Sequence, residues 1–275
     1  MPDKLPGRRE TKNQQKEGID LLQHPPELKE LAEKLTRIQK NYPGAVSLAP
    51  PQDNLITKHI EEKKPWLEIL SLEPQESDLR DFYGNLKEVL MPYEAFSFLK
   101  MLDFQDVAPL AKSYLRKEAE TINLAATAAG ANKASYLFFL RELLRPWAKS
   151  AAKLLRSGLR HEKWLLNFCP VCGHLPAGAR QEKVEGKRFL ICSLCETEWL
   201  FNRMTCPQCG NNDHTTLGYF TVEGIEDWKV SFCRKCNTYF KEAITNEPVS
   251  VFDLELNVQL DLLARGEGFQ PLGGE

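Results

Sequence analysis

Eight cysteines are the residues of this chain best suited to do chemistry, and they fall into four pairs of identical spacing. The pairs are Cys169-Pro-Val-Cys172, Cys192-Ser-Leu-Cys195, Cys206-Pro-Gln-Cys209 and Cys233-Arg-Lys-Cys236. Two residues between two cysteines allow a tight turn that carries both sulfurs to one ion, with backbone N–H groups aimed at the thiolates. Four sulfurs in a tetrahedron suit Zn²⁺ or iron. Each ion needs two such turns, so four turns make two ions with nothing left over. Cysteines used as small buried apolar residues would not repeat this spacing. A thioredoxin-type redox motif needs one pair on a βαβ unit, and a disulfide framework belongs to oxidising compartments.

The intervals show which turns go together. Nineteen residues separate Cys172 from Cys192, ten separate Cys195 from Cys206, and twenty-three separate Cys209 from Cys233. The first and third pairs share the form Cys-Pro-x-Cys-Gly, with Gly173 and Gly210 available for the left-handed conformation that closes such a turn. The second and fourth pairs lack both Pro and Gly, and Asn237 is the nearest substitute. This alternation reads as a duplicated unit with an opening and a closing knuckle. The expected ligand sets are Cys169, Cys172, Cys192, Cys195 and Cys206, Cys209, Cys233, Cys236. His161, His174 and His214 lie near the knuckles but read as non-ligands, because eight thiolates already fill two sites.

The elements that must hold these turns are short strands. Arg188–Ile191 follows a turn at Glu185-Gly186, and Tyr219–Val222 with Lys229–Phe232 flank Gly224 in an antiparallel hairpin pattern. Units smaller than about 40 residues seldom hold together on a core alone. A metal supplies on the order of 10–16 kcal/mol in modules of this kind.

Upstream, the periodicity is helical. Pro25 and Pro26 open a segment with Leu28, Leu31, Leu35 and Ile38 on one face, stopped near Asn41-Tyr42-Pro43-Gly44, and Leu48-Ala49-Pro50-Pro51 reads as a linker. A second helix carries Leu79, Phe82, Tyr83, Leu86 and Leu90 and ends before Pro92. Val107, Leu110, Tyr114 and Leu115 mark a third. Gly130 and Asn132 read as a C-cap and an N-cap. A long helix follows from Lys133 to Leu155, with Tyr136, Phe139, Leu140, Leu143, Leu144 and Trp147 inward and a kink or break expected at Pro146. These stripes read as core packing. His24, His59, Asp103 and Asp106 read as isolated surface residues, and nothing before Cys169 points to catalysis. At the far end Leu254, Val258, Leu262 and Leu263 share one helix face up to Gly266.

The expected fold class is therefore α+β: a mainly all-α N-terminal domain, two tandem rubredoxin-like or zinc-ribbon β modules, and a C-terminal helix. The expected divisions are a flexible tail at 1–24, a helical domain at 25–164, ribbons at 165–203 and 204–247, and the C-terminal helix and tail at 248–275.

Composition narrows the function. The chain has 275 residues, 42% hydrophobic and 27% charged, and a net charge of 36 − 38 = −2. Such a chain is globular, and its balance disfavours nucleic acid as the main partner. From 161 to 245 there are ten Lys/Arg and ten Asp/Glu, and eight thiolates with two divalent ions add −8 + 4 = −4, so the loaded region is acidic. Trp199, Trp228 and Tyr239 read as packing around the ribbons rather than as a protein-binding face. The longest fully apolar run near the middle, Leu137–Leu140, is far short of a membrane span, and the polar N-terminus has no apolar stretch behind Arg8-Arg9 to make an export signal. The reading is a cytoplasmic protein without membrane insertion, its thiols kept reduced.

Cys169-Pro-Val-Cys172-Gly173, Cys192-Ser-Leu-Cys195-Glu196-Thr197-Glu198-Trp199, Cys206-Pro-Gln-Cys209 and Cys233-Arg-Lys-Cys236-Asn237-Thr238-Tyr239-Phe240-Lys241 resemble the formate dehydrogenase accessory protein family, FdhE. So does the late helix Leu262-Leu263-Ala264-Arg265-Gly266-Glu267-Gly268-Phe269. The likeness is specific from about 165 to 270 and looser upstream, where it ends in Leu144-Arg145-Pro146-Trp147. The family's motif cysteines map onto all eight here. The resemblance implies a cytoplasmic, non-catalytic maturation factor, chaperone-like in role, that acts on the molybdenum- or tungsten-containing catalytic subunit of formate dehydrogenase before export. It also implies rubredoxin-like sites able to hold iron. The alternatives are a rubredoxin-type electron carrier and, disfavoured by charge, a ribbon that binds nucleic acid.

Two ions per chain are expected. Metal analysis of protein purified without oxygen should approach two equivalents of iron plus zinc; a value near one, with four titratable free thiols, would overturn the two-site reading.

Overall fold

The computed structural model describes residues 9–12, 25–42, 44–48 and 51–273. The rest of the expected tail with His24, Pro43 of the first helix stop, and Ala49 and Pro50 of the linker lie outside the described residues. The chain divides into two compact units. One comprises Lys29–Leu159 with the short segment Pro170–His174, and the other holds Arg160–Cys169 and everything from Leu175 onward.

The first unit is helical, with α1 (Pro26–Asn41), α2 (Asp53–Glu61), α3 (Trp66–Ile69), α4 (Glu76–Leu90), α5 (Phe104–Leu115), α6 (Ala119–Ala128) and α7 (Lys133–Leu155). The apolar stripes become its core. Leu79, Phe82, Tyr83, Leu86 and Leu90 are the buried residues of α4, and the six apolar positions expected of α7 are all buried. Trp147 of α7 meets the Phe82 ring edge-on at 5.6 Å and Tyr42 at 5.6 Å. Asn132 caps α7 by accepting from the Ala134 N–H at 2.9 Å, and Gly130 takes φ +62° beyond the end of α6. Gly44 turns the chain after α1 at φ +59°, with the Pro146 carbonyl carbon 2.5 Å from where a Cβ would stand, so no other residue fits there.

Three expectations are corrected. Helix α7 runs unbroken through Pro146. The missing N–H costs one hydrogen bond, but Leu143, Leu144, Arg145, Trp147 and Ala148 are all buried around it, and that packing holds the helix through the proline. His59 is a core residue, not a surface one: it is fully buried, with its ring stacked on Trp66 at 4.7 Å and Nδ1 2.6 Å from the Lys64 carbonyl oxygen. Burial holds its pKa below the ordinary histidine value. The single late helix is two, α8 (Val251–Leu256) and α9 (Val258–Gly266), parted at Asn257 with ψ 55°, and Leu262 faces solvent. Asp103 and Asp106 are exposed, as read.

Helix α7 also buries an ion pair that periodicity does not reveal. Glu142 and Arg145 are both fully buried. The Arg145 guanidinium donates to both carboxylate oxygens, at 2.9 and 2.7 Å. Arg141 adds a bond at 2.9 Å and Gln39 of α1 one at 2.8 Å, which ties the first helix to the last.

Among its described residues the second unit is built on one sheet of eight strands: β1 (Arg9–Lys12), β2 (Pro176–Gln181), β3 (Arg188–Cys192), β4 (Glu198–Phe201), β5 (Leu217–Val222), β6 (Trp228–Cys233), β7 (Thr238–Ile244) and β8 (Gln270–Pro271). Their order is β1-β5-β6-β7-β2-β3-β4, with β8 also on β7. Each ribbon is a three-stranded antiparallel meander, β2-β3-β4 and β5-β6-β7. They join where β2 runs parallel to β7, Ala179 facing Glu242 and Gln181 facing Ile244. Both ribbons thus gain a neighbour, so two modules too small to be stable alone share one sheet. Leu260 and Ala264 of α9 pack with Phe220, Phe232, Tyr239 and Phe269, and α8 sets Val251 and Leu254 against Ile191. Tyr239 and Lys241 of β7 both bond Asp261 of α9, at 2.8 and 2.6 Å.

On the alternate side of β7, Glu242 is fully buried. Arg188 of the first ribbon grips both its oxygens at 2.9 and 3.0 Å, Ser231 donates at 2.9 Å, and Lys229 lies at 3.2 Å. Burial raises the carboxyl's pKa, but Arg188 and Lys229 outweigh it and hold the group below the ordinary carboxylate value.

Two outcomes follow. Glu142 is likewise raised by burial and brought down more strongly by Arg145 and Arg141, to about 2 from 4.5. Its stabilisation is complete above pH 4.5 and is lost as pH falls toward about 2. Helical-unit melting followed by circular dichroism should drop across that window, and Glu142→Gln should flatten the drop. Glu242→Ala leaves Arg188 and Lys229 buried without a counter-charge and should cost about 3–5 kcal/mol in urea unfolding of the sheet unit.

Candidate metal centres

The same plan builds both cysteine clusters. The opening knuckle lies in the loop before a meander, Cys169 and Cys172 ahead of β2 and Cys206 and Cys209 ahead of β5. The closing knuckle starts on the last residue of the middle strand, Cys192 of β3 and Cys233 of β6, and turns through Cys195 or Cys236 into the next strand. The eight candidate cysteines therefore gather as two sets, Cys169/Cys172/Cys192/Cys195 and Cys206/Cys209/Cys233/Cys236. Within each set all sulfurs lie within 4.8 Å of one another. Among the described residues no histidine joins either set: the His174 ring lies tilted against Tyr114 at 4.9 Å, and His214 is exposed.

The spacings fit a thiolate-bound ion. Four sulfurs each about 2.3 Å from a central ion stand about 3.8 Å apart along the tetrahedron edge. Cys169 and Cys195 are 3.5 Å apart, Cys206 and Cys236 3.7 Å, and Cys209 and Cys233 3.9 Å. None of the eight cysteines is disulfide-bonded. The donors are all sulfur, and four fill a tetrahedron, so the sets could hold zinc or iron with no position left for a substrate.

Three further features support the sulfurs. The residue after each second cysteine has positive φ: Gly173 at 74°, Glu196 at 57°, Gly210 at 70° and Asn237 at 54°. Glu196 carries a side chain in a conformation that costs about 1–2 kcal/mol for an L-residue, and sequence reading found no closing residue there. Thr197 and Thr238 place hydroxyls 3.1 Å from the Cys195 sulfur and 3.0 Å from the Cys236 sulfur. The repeat Cys-x-x-Cys-x-Thr was visible in the sequence but carried no assigned role. Backbone N–H groups of Leu194 and Cys195 point at the Cys192 sulfur at 3.4 and 3.5 Å, and the Asn211 amide at Cys233 at 3.6 Å.

Burial pushes the Cys206 thiol up to about 12 and raises Cys209 as well. Burial acts upward on Cys236 too, but hydrogen bonds from Thr238 and Cys209 outweigh it and leave its pKa lowered. A divalent cation held there would supply the charge that lets all four exist as thiolates. Trp199 and Tyr239 are buried packing residues, with the Trp199 indole N–H on the Leu166 carbonyl at 2.8 Å, while Trp228 is half-buried.

With this pairing, Cys192→Ser should lower bound metal by one equivalent. Amide spectra of residues 206–238 should stay unchanged; a disturbed Cys206/Cys209 knuckle would contradict the grouping.

The family described as "FdhE, central domain" matches residues 168–203. The protein FdhE homolog of Aquifex aeolicus is 38% identical over 138 residues, covering 48% of each chain. Those of Haemophilus influenzae and Yersinia pestis are 25% and 28% identical, over 64% and 62% of this chain and 57% and 56% of their own. The chain thus spans about half the length of the curated relatives it matches. The crystal structure of the FdhE protein from Pseudomonas aeruginosa superposes with a TM-score of 0.61 at 19% identity, covering 93% of this chain and 90% of that one, which shows a shared fold. The resemblance read from the cysteine motifs is thus met by a match of residues 168–203 to the FdhE central-domain family, in a chain that shares its fold with the Pseudomonas aeruginosa FdhE protein.

Proposed function

We propose that this chain is a non-catalytic accessory factor for the maturation of formate dehydrogenase, binding the catalytic subunit of that enzyme through its ribbon sheet. The observation that carries the reading is the pair of closed four-sulfur sets inside an FdhE-type fold. A four-thiolate tetrahedron has no open position for substrate, so the ion acts on folding rather than on a reaction. Two ions, iron or zinc, are held by Cys169, Cys172, Cys192 and Cys195 and by Cys206, Cys209, Cys233 and Cys236. They stabilise the sheet on which the client docks. The helical unit supports the same reading, since its buried titratable groups Glu142, Arg145 and His59 are engaged in packing and pairing. No helix among the described residues is long and apolar enough to cross a membrane. The cytoplasm, where thiols stay reduced, suits eight cysteines without a disulfide and a client handled before export.

The test is genetic and physical. Deleting the gene in its host should abolish formate oxidation, and the wild-type chain should restore it. A variant with Cys→Ser at all eight positions should fail to restore activity and fail to capture the catalytic subunit in an anaerobic pull-down. If that variant restores full activity, the metal-dependent accessory role is wrong.

A further inference from the structure

The two clusters share one plan but not one environment. In the first set all four cysteines are buried; in the second, Cys206 and Cys233 are buried, Cys236 is half-buried and Cys209 is exposed. The residues inside the knuckles follow suit. Val171 and Leu194 of the first set are fully buried, whereas Gln208, Arg234 and Lys235 of the second are exposed.

The two matching glycines measure the difference directly. A Cβ on Gly173 would stand 2.5 Å from the Lys117 ammonium and 2.9 Å from Pro65, while one on Gly210 would meet nothing within 4 Å. The first knuckle is also pinned through its backbone: the Pro170 and Val171 carbonyls accept the N–H groups of Trp66 and Leu67 at 2.9 and 2.8 Å. The second knuckle has the Gln208 side-chain oxygen accepting from the Gly273 N–H at 3.1 Å, close to the end of the chain.

From this contrast we propose that the second cluster is a metal-exchange site for small soft ligands, low-molecular-weight thiols above all, and that the first is a permanent fastener. The proposal rests on both clusters being loaded, as put forward above. The exchange is a ligand substitution at Cys209. An incoming thiol gives its proton to the Cys209 sulfur, its own sulfur forms a bond to the ion, and the bond from the ion to Cys209 breaks. No electrons move between centres. Cys209 is the entry point because it is the most exposed of the eight cysteines, and Arg234 and Lys235 give an anionic thiol a favourable approach.

The experiment uses the full chain carrying two equivalents of zinc, confirmed by metal analysis. The protein is mixed with a chromophoric chelator and glutathione, then sampled in time with an alkylating agent and mapped by peptide mass. One equivalent should leave at least about tenfold faster than the other, the scale of a modest difference in local opening. Alkylation should reach Cys206, Cys209, Cys233 and Cys236 before Cys169, Cys172, Cys192 and Cys195. Release of both ions at one rate, or earlier alkylation of the first set, overturns the proposal. Failure to load two equivalents at all would instead count against the two-ion reading on which it rests.

Discussion

Four thiols drawn to within 4.8 Å of one another are the arrangement on which the sheet unit depends. Without a cation such a cluster has no good charge state. Burial resists ionisation, as the raised pKa of Cys206 shows, and ionised neighbours at that distance repel. With a cation in the middle, the same four groups become mutually supporting, and the loops that bear them are fixed. Each ribbon would gain from this, because three short strands bury too little surface to be stable alone. The left-handed residue after every second cysteine follows from the same demand. The chain must reverse within one residue to bring the second sulfur in and still enter the next strand, and the sequence meets the need with Gly twice, Asn once and Glu once.

Joining the ribbons adds what each lacks. The parallel contact of β2 with β7 makes the strands that border it interior ones, and the Glu242–Arg188 pair crosses from one ribbon to the other beside that seam. A buried ion pair of this kind is a modest source of stability and a strong one of register, because a slip leaves charges buried without partners. Glu142 with Arg145 plays the comparable part in the helical unit, fixing how α1 meets α7 through Gln39. In both units the buried charge sits where two separately built pieces must be aligned.

The duplicated plan has diverged in its surroundings rather than in its ligands. Geometry at the sulfurs is alike in the two sets, down to the threonine hydroxyl two residues after the last cysteine. What differs is the packing outside the knuckles: Val171 and Leu194 against Gln208, Arg234 and Lys235. Ions held in two such chemically similar cages would therefore differ in how readily solvent species reach them.

The sequence by itself determined which cysteines gather into which set, and the helical faces, because each follows a local rule. A two-residue spacing makes a knuckle, the Cys-Pro-x-Cys-Gly alternation marks opening and closing turns, and Leu79, Phe82, Tyr83, Leu86 and Leu90 fall on one side of a helix by its period alone. The hairpin around Gly224 was legible for the same reason. Tertiary structure decided what depends on residues far apart in the chain. The parallel seam between β2 and β7 joins segments some sixty residues apart, and no local period encodes it. His59 is buried because Trp66 stacks on it, and Pro146 keeps its helix because the packing around it outweighs one lost hydrogen bond. The break at Asn257 separates α8, which packs on Ile191, from α9, which packs on Phe220 and Phe232: two different surfaces that one straight helix could not serve.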